Sequence, residues 1–432
     1  MRAPIPSLEP SAQAPEAPGV DVITLGCRLN AYESDVMAAQ AQAAGLANTV
    51  IVNTCAVTAE AVRQASQAIR RLRRERPDAA IIVTGCAATI EPERFSNMPE
   101  VTHVIGNGEK ELPGTFAALV AQTLPRVAAD DIMTVREMAP HMAGVAGSRT
   151  RAFVAVQNGC DHRCTFCVIP YGRGNARSMP AGGVVDEVRR LVELGTPEVV
   201  LTGVDLTSWG ADLPGQPQLG NLVARILKLV PDLPLLRLSS IDAIEMDDLL
   251  FELVTGHERV APYLHLSLQH GDDLILKRMK RRHSRADAVA LALRLKAARP
   301  GIALGADLIA GFPTETEAHL ASSVSLIQEA QLSFVHVFPY SARPNTPAAR
   351  MPQLARAEVK RRASVLRDAA ASALTRHLEG WVGRTAHALV EEDGNARLPD
   401  FSPVRIDGGT AGDLCCLRFT SHDGHRLQGT AA

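Results

Sequence analysis

Aromatic residues are scarce, at 4% of the 432-residue chain, so any core must be built mainly from Ala, Leu, Val and Ile. No apolar run is long enough to span a bilayer. The first twenty residues, MRAPIPSLEPSAQAPEAPGV, hold five prolines and no apolar stretch of signal-peptide length. These absences argue against a membrane-spanning or signal-directed protein, and predict a disordered tail over residues 1–20 and a cytoplasmic location with no membrane partner. Excess charge is also missing. A formal net charge of −2 excludes binding of nucleic acid through a global cationic field, so any such binding must come from local patches. Eight cysteines in a large chain of this kind argue for metal or catalysis over disulfides.

What is present is an alternation of strand and helix patterns. DVITLG, TVIVN (Thr49 to Asn53), AAIIVTG (Ala79 to Gly85) and a short run at His103 to Ile105 read as strands. Helical patterns lie between them, one over Thr58 to Arg76 with Thr58 as N-cap and Pro77 as its stop. Such alternation implies βαβ units and a parallel sheet over residues 21–125. Residues 126–150 lack periodicity and read as a connector. A second series follows over residues 151–378, with candidate strands near Phe153, Glu198 to Leu201, Leu235 to Leu238, Leu264 to Leu268, Ile302 to Ile309 and Val335 to Phe338. That count suits a parallel (β/α) barrel, complete or open. Residues 379–432 change to short alternating strands with turn signals such as EEDGN and SHDGH, which suits a small all-β module. The expected fold class is therefore α/β, with an open parallel sheet, a central barrel and a terminal β module.

The chemistry is concentrated in QNGCDHRCTFCVIP, Gln157 to Pro170, where Cys160, Cys164 and Cys167 are separated by three and two residues. A mononuclear zinc site would want a fourth ligand, and His162 lies inside the loop, poorly placed to complete a tetrahedron. A cubane iron–sulfur cluster held by three cysteines would keep one iron open to an exogenous ligand. A zinc or redox loop is the alternative reading. A second trio is spread through the first sheet. Cys27, Cys55 and Cys86 each lie at the carboxyl end of successive candidate strands, where open α/β sheets bind ligands. Simple packing of a small apolar residue is the alternative there.

The Cys-x3-Cys-x2-Cys spacing after a barrel strand resembles the radical S-adenosylmethionine (SAM) superfamily. Together with TLGCRLNAYESD and VNTCAVTAEA, the chain beyond its tail resembles the radical SAM methylthiotransferases, most closely the threonylcarbamoyladenosine tRNA subfamily, with AVTAEA as the deciding stretch. The resemblance implies two 4Fe-4S clusters, one on Cys160, Cys164 and Cys167 that binds SAM, and an auxiliary one on Cys27, Cys55 and Cys86. It also implies a TRAM-type RNA-binding module at the C-terminus, a tRNA anticodon stem-loop as substrate, methylthiolation at carbon-2 of the modified adenine, and a flavodoxin- or ferredoxin-type reductant. The isopentenyladenosine tRNA enzyme is the alternative within the family, and an iron–sulfur RNA-binding protein without turnover is the alternative outside it.

The resemblance further places Arg173 and Arg177 of YGRGNARS near the SAM or substrate pocket. Gly203 and Asp205 of LTGVDLTSWG, Gln269 of LHLSLQHGDD and Asp307 of GADLIAGFPTETE join them as cofactor-binding candidates. Two family glycines are replaced, by Thr314 and Asn345. The C-terminal module has five Arg, no Lys, seven acidic residues and no Tyr from Trp381 onward, a poor footprint for gripping RNA. Cys415 and Cys416 match no ligand pattern and read as strand packing. Two basic runs could compensate: Arg63, Arg70, Arg71, Arg73, Arg74 and Arg76 on one helix, and Lys277, Arg278, Lys280, Arg281, Arg282 and Arg285 on another.

Overall fold

A computed structural model describes residues 19–112, 114–138 and 150–432. The predicted tail therefore lies outside the described residues, apart from Gly19 and Val20. Strands β1 (Val20–Thr24), β2 (Thr49–Thr54), β3 (Ala80–Gly85), β4 (His103–Ile105) and β5 (Val127–Ala128) form one parallel sheet in sequential order. The sheet reaches beyond residue 125. The fifth strand lies in the expected connector, and two residues are too few to show a period. β2 is buried along its whole length, which is why TVIVN carries no polar–apolar alternation before its end.

Helix α1 (Arg28–Ala43) joins β1 to β2, and α2 (Ala59–Glu75) joins β2 to β3. The Thr58 hydroxyl accepts the Ala61 N–H at 3.1 Å and starts α2. The residue before Pro77 leaves helical geometry and ends it. Val62, Ala65, Ile69 and Leu72 of α2 pack with Val50, Val52, Ile81 and Val83. Met37 and Ala41 of α1 pack with Ile51 and Ile82, on the opposite face. Two helices on opposite faces of sequentially ordered parallel strands give crossovers of opposite hand, whereas right-handed crossovers are the rule. The first turns of α1 serve a second core, since Leu29, Tyr32 and Val36 belong to that of the central barrel.

That barrel is formed by β6 (Ala152–Ala155), β9 (Glu198–Thr202) and β10 (Leu235–Leu238) in one parallel sheet, and β11 (Ser240–Ile241), β12 (Tyr263–Gln269), β13 (Ala303–Ala310) and β14 (Phe334–Pro339) in another. A bridge between Leu236 and Val260 links the two. Among the described residues β6 and β14 do not pair, so the barrel is open. Between β6 and β9, the antiparallel pair β7 (Gln157–Asn158) and β8 (Arg177–Ser178) closes the neck of the cysteine loop. The helix Arg356–Glu379 leads into a closed five-stranded barrel of β15 (Thr385–Val390), β16 (Asn395–Arg397), β17 (Pro403–Arg405), β18 (Leu414–His422) and β19 (Leu427–Ala431). Cys415 packs against the core of this barrel and Cys416 faces solvent. Among the described residues no helix is long and apolar enough to cross a membrane.

The second basic run does not form one helical face. It spans the helix Asp273–Met279, the turn after it and the start of the helix Arg285–Ala298. Arg281, Arg282 and Arg285 are turned onto internal acceptors. In α2, Arg73 and Arg76 are likewise spent on Glu100 O and Asn48, while Arg63, Arg70, Arg71 and Arg74 are exposed.

Candidate metal centre

The loop with three cysteines hangs from the carboxyl end of β6 and is fixed at each point where it could drift. Gly159 has φ +73°, and a Cβ there would lie 1.9 Å from Asn175 O, so only glycine fits the neck. Cys160 N–H donates to Gly174 O at 3.1 Å, and Thr165 N–H to Met279 O at 3.0 Å. Gln157 ties the loop to the next strand. Its Oε1 accepts the N–H groups of Val204 (3.0 Å) and Asp205 (2.8 Å), and its Nε2 donates to Gly159 O at 2.9 Å. A Cβ on Gly203 would lie 3.0 Å from that Oε1, which is why glycine stands at the end of β9. Asp205 then faces the loop, with Oδ2 at 3.7 Å from Cys160 Sγ and 2.9 Å from His162 Nε2. Donation to the Asp205 carboxylate, and then to Glu245, raises the His162 pKa to about 10.

The other trio converges as strand-end topology requires. Cys27 caps α1, Cys55 follows β2, and Cys86 opens the short helix α3 (Cys86–Ile90) directly after β3. Gly26 packs onto Cys55 so closely that a Cβ would lie 3.0 Å from its Sγ. Burial raises the Cys55 thiol to about 12, with Cys86 and then Cys27 adding to the effect, so the three are electrostatic neighbours. Burial also raises Cys160, and raises Cys167 to about 12.

The short helices that follow the two trios are in contact. The helix Ile169–Arg173 follows the loop and lies against α3, where a Cβ on Gly172 would sit 3.2 Å from Cys86 Cβ. This contact brings Arg173 up to the sheet trio. Its side chain turns toward the sheet trio: Nε donates to Cys86 Sγ at 3.2 Å, Nη1 and Nη2 grip Glu33 at 2.7 and 3.0 Å, and Nη2 reaches Asn30 Oδ1 at 2.6 Å. Lys110 closes the network on Glu33 at 2.7 Å, and all these groups are buried. Burial would push Glu33 upward, but Arg173 and Lys110 outweigh it and hold the carboxyl at about 2. Arg177 follows four residues later. It donates to Arg173 O and Asn175 O at 2.9 and 3.1 Å and clamps the turn.

Gln269 ends β12 at φ +70°, on the barrel rim. Asp307 lies deeper, bonded to His265 Nε2 at 2.8 Å and His336 Nδ1 at 3.2 Å. Sequence reasoning missed Gln157, Asn30, Glu33, Lys110, Asn107, His265 and His336. Asn30 and Glu33 had a signal, since both are polar and three apart on a helix face that packs inward.

Both trios suit a thiolate-bound cluster in two respects. Their donors are sulfur only, and N–H groups aim at the sulfurs: Ile169 N at 3.4 Å from Cys167 Sγ, Arg281 Nη1 at 3.6 Å from Cys164 Sγ, and Asn107 Nδ2 at 3.6 Å from Cys86 Sγ, beside the Arg173 bond. Such donors stabilise ionised sulfur and tune the potential of a bound cluster.

Comparison with known proteins agrees with this geometry. Residues 154–327 match the Radical SAM superfamily, and residues 19–106 match the family described as Uncharacterized protein family UPF0004. The threonylcarbamoyladenosine tRNA methylthiotransferase MtaB of Rickettsia prowazekii is 48% identical over 90% of this chain and 91% of its own length. The tRNA-2-methylthio-N(6)-dimethylallyladenosine synthase of Erythrobacter litoralis is 34% identical over 94% and 96%. Among solved structures, the radical SAM methyltransferase TsrM of Kitasatospora setae covers 74% of this chain and 69% of its own, with TM-score 0.51 at 20% identity, a likeness of fold alone.

Proposed function

We propose a substrate and a division of labour from one premise: the chain belongs to the radical SAM tRNA methylthiotransferases. The substrate is threonylcarbamoyladenosine next to the anticodon of tRNA, and the product carries a methylthio group at ring carbon-2. The relative at 48% identity supports this over the isopentenyladenosine reading, which the relative at 34% favours. The binding-only alternative is set aside, because the family is one of enzymes.

In this reading Cys160, Cys164 and Cys167 hold one 4Fe-4S cluster, and Cys27, Cys55 and Cys86 hold a second. When bound, the first cluster would supply the electron for reductive cleavage of SAM, and the second would supply an iron site for the sulfur to be transferred. The chain's own residues do the positioning. Gln157 locks the cysteine loop to β9 and so sets Asp205 against it. Arg173 carries positive charge to Cys86 without opening the site to water, since Glu33, Asn30 and Asn158 take its remaining donors. His265 and His336 hold Asp307 ionised on the barrel wall.

The observation that supports this reading is the close approach of Gly172, five residues past Cys167, to Cys86, as expected if both trios serve one reaction with two SAM-dependent steps. A flavodoxin- or ferredoxin-type reductant, a cytoplasmic setting and RNA binding by the terminal β-barrel belong to the same proposal. The test is nucleoside mass spectrometry of tRNA from a strain lacking the protein. Selective loss of the methylthio form of threonylcarbamoyladenosine is expected. Loss of methylthio-isopentenyladenosine instead would overturn the substrate.

A further inference from the structure

Arg28 stands directly after Cys27, yet its side chain leaves the cysteine edge and enters the base of the open barrel. Its guanidinium carbon lies 5.4 Å from the ring centre of Phe401. Phe401 comes from the turn between β16 and β17 and stacks on Tyr263 at 5.0 Å. The Tyr263 hydroxyl lies 2.9 Å from His265 Nδ1, the histidine that holds Asp307. Arg237 and Arg397 approach the same Phe401 ring at 5.1 and 4.4 Å.

The charges around this ring do not balance. Arg237 and Arg151 share Glu198 at 2.6 and 2.9 Å, and Arg151 and Arg397 share Glu391. Three arginines thus consume two carboxylates. Asp307 is taken by two histidines. Among the described residues the Arg28 guanidinium has no hydrogen-bond acceptor and no carboxylate partner. Independently, Arg151 Nη2 and Arg237 Nη1 are buried donors with no acceptor. A half-buried cation among cations, with orphan N–H groups beside it, is costly unless an anion completes the set.

We infer that Arg28 is the receptor for the carboxylate of the threonylcarbamoyl group on the substrate base. This rests on the substrate reading above. The chemistry fits, since a planar guanidinium matches a carboxylate through two parallel hydrogen bonds. The placement fits as well. A base whose reacting carbon is at the Cys27 edge would extend its N6 substituent along the side chain of the adjacent residue. An uncharged prenyl substituent would leave the cation unpaired, so Arg28 both binds one modified base and rejects the other.

The test uses anaerobically reconstituted protein and three anticodon stem-loop RNAs that differ only in the target base: threonylcarbamoyladenosine, its neutral threoninamide analogue, and isopentenyladenosine. Wild type should bind the acid roughly 10- to 100-fold tighter than either neutral base. Arg28→Gln with its iron content intact should bind all three alike, and Arg28→Lys should keep part of the preference. An unchanged preference in Arg28→Gln overturns the assignment. If that variant loses iron, Arg28→Lys replaces it: a reduced ratio supports the inference and an unchanged ratio overturns it. Equal binding of acid and amide by wild type also overturns it. Preference of wild type for the isopentenyl RNA instead defeats the substrate reading itself.

Discussion

The two cysteine sites are built by opposite means. One is local: three thiols within eight residues, on a loop held by backbone hydrogen bonds, one glycine neck and one glutamine. The other is assembled by topology: three thiols from the ends of β1, β2 and β3, kept in place by a buried network of Arg173, Glu33, Asn30 and Lys110. A local site depends on its own loop, whereas a topological site depends on everything that aligns the strands. Strand pairing, apolar packing and a charge network shared with the neighbouring half of the molecule all contribute to that alignment here.

The strongest way to break the comparison is to remove one trio at a time. Reconstituted wild type should hold about eight irons per chain, as two cubanes. Replacing Cys160, Cys164 and Cys167 by Ala should leave about four irons and abolish 5′-deoxyadenosine formation. Replacing Cys27, Cys55 and Cys86 should also leave about four, but should spare SAM cleavage while abolishing methylthiolation. If either variant keeps all its iron, its trio is not a cluster site.

Glu33→Gln attacks the scaffold of one site without touching a cysteine. It leaves Arg173 and Lys110 buried without their shared carboxylate, at a cost of about 3–5 kcal/mol in denaturant unfolding. Iron should be lost from the sheet site first, with SAM cleavage retained. Equal loss from both sites would show that the network supports the loop as well.

Acid should act on the same asymmetry. The folded Glu33 carboxyl sits at about 2 against an ordinary 4.5. A depressed carboxyl contributes stability above its unfolded value and loses it as pH falls toward the folded one. Melting of the iron-free protein should therefore weaken between about 4.5 and about 2. Glu33→Gln should flatten that slope, and an unaltered slope in the variant would remove Glu33 as its cause.

The smallest effect concerns RNA. Helix α2 keeps a row of exposed arginines, whereas the barrel run is largely spent on Asp242, Glu245 and backbone carbonyls. Arg70, Arg71 and Arg74 reversed to Glu should weaken tRNA binding and make its salt dependence shallower by about three charges' worth. Reversing Lys277 and Lys280 should do less. Equal salt slopes would place the contacts elsewhere.

How much of this was legible in the sequence follows from the same contrast. The loop trio could be read from spacing, and the strand-end trio from the rhythm of βα units, since both are local or periodic signals. Arg173 could be singled out but not aimed, because its partners Glu33 and Asn30 lie about 140 residues away, a pairing that only tertiary structure reveals. The second basic run read as one helical face because charge density is visible in sequence while commitment of each guanidinium to a carbonyl is not. Thr314 and Asn345, where the resemblance implies glycine, both adopt positive φ, +69° and +64°, a backbone demand that glycine usually meets.

Helix α1 has a consequence for how the molecule can be divided. Its Met37 and Ala41 belong to one core, and its Leu29, Tyr32 and Val36 to another. Cut free at any boundary, either half would bare an oily stripe that the other half normally covers. The two halves are thus spaced by a shared beam, and not only by the length of a tether. The halves cannot be exchanged like cassettes, and a chimera that borrows one must borrow the beam with it.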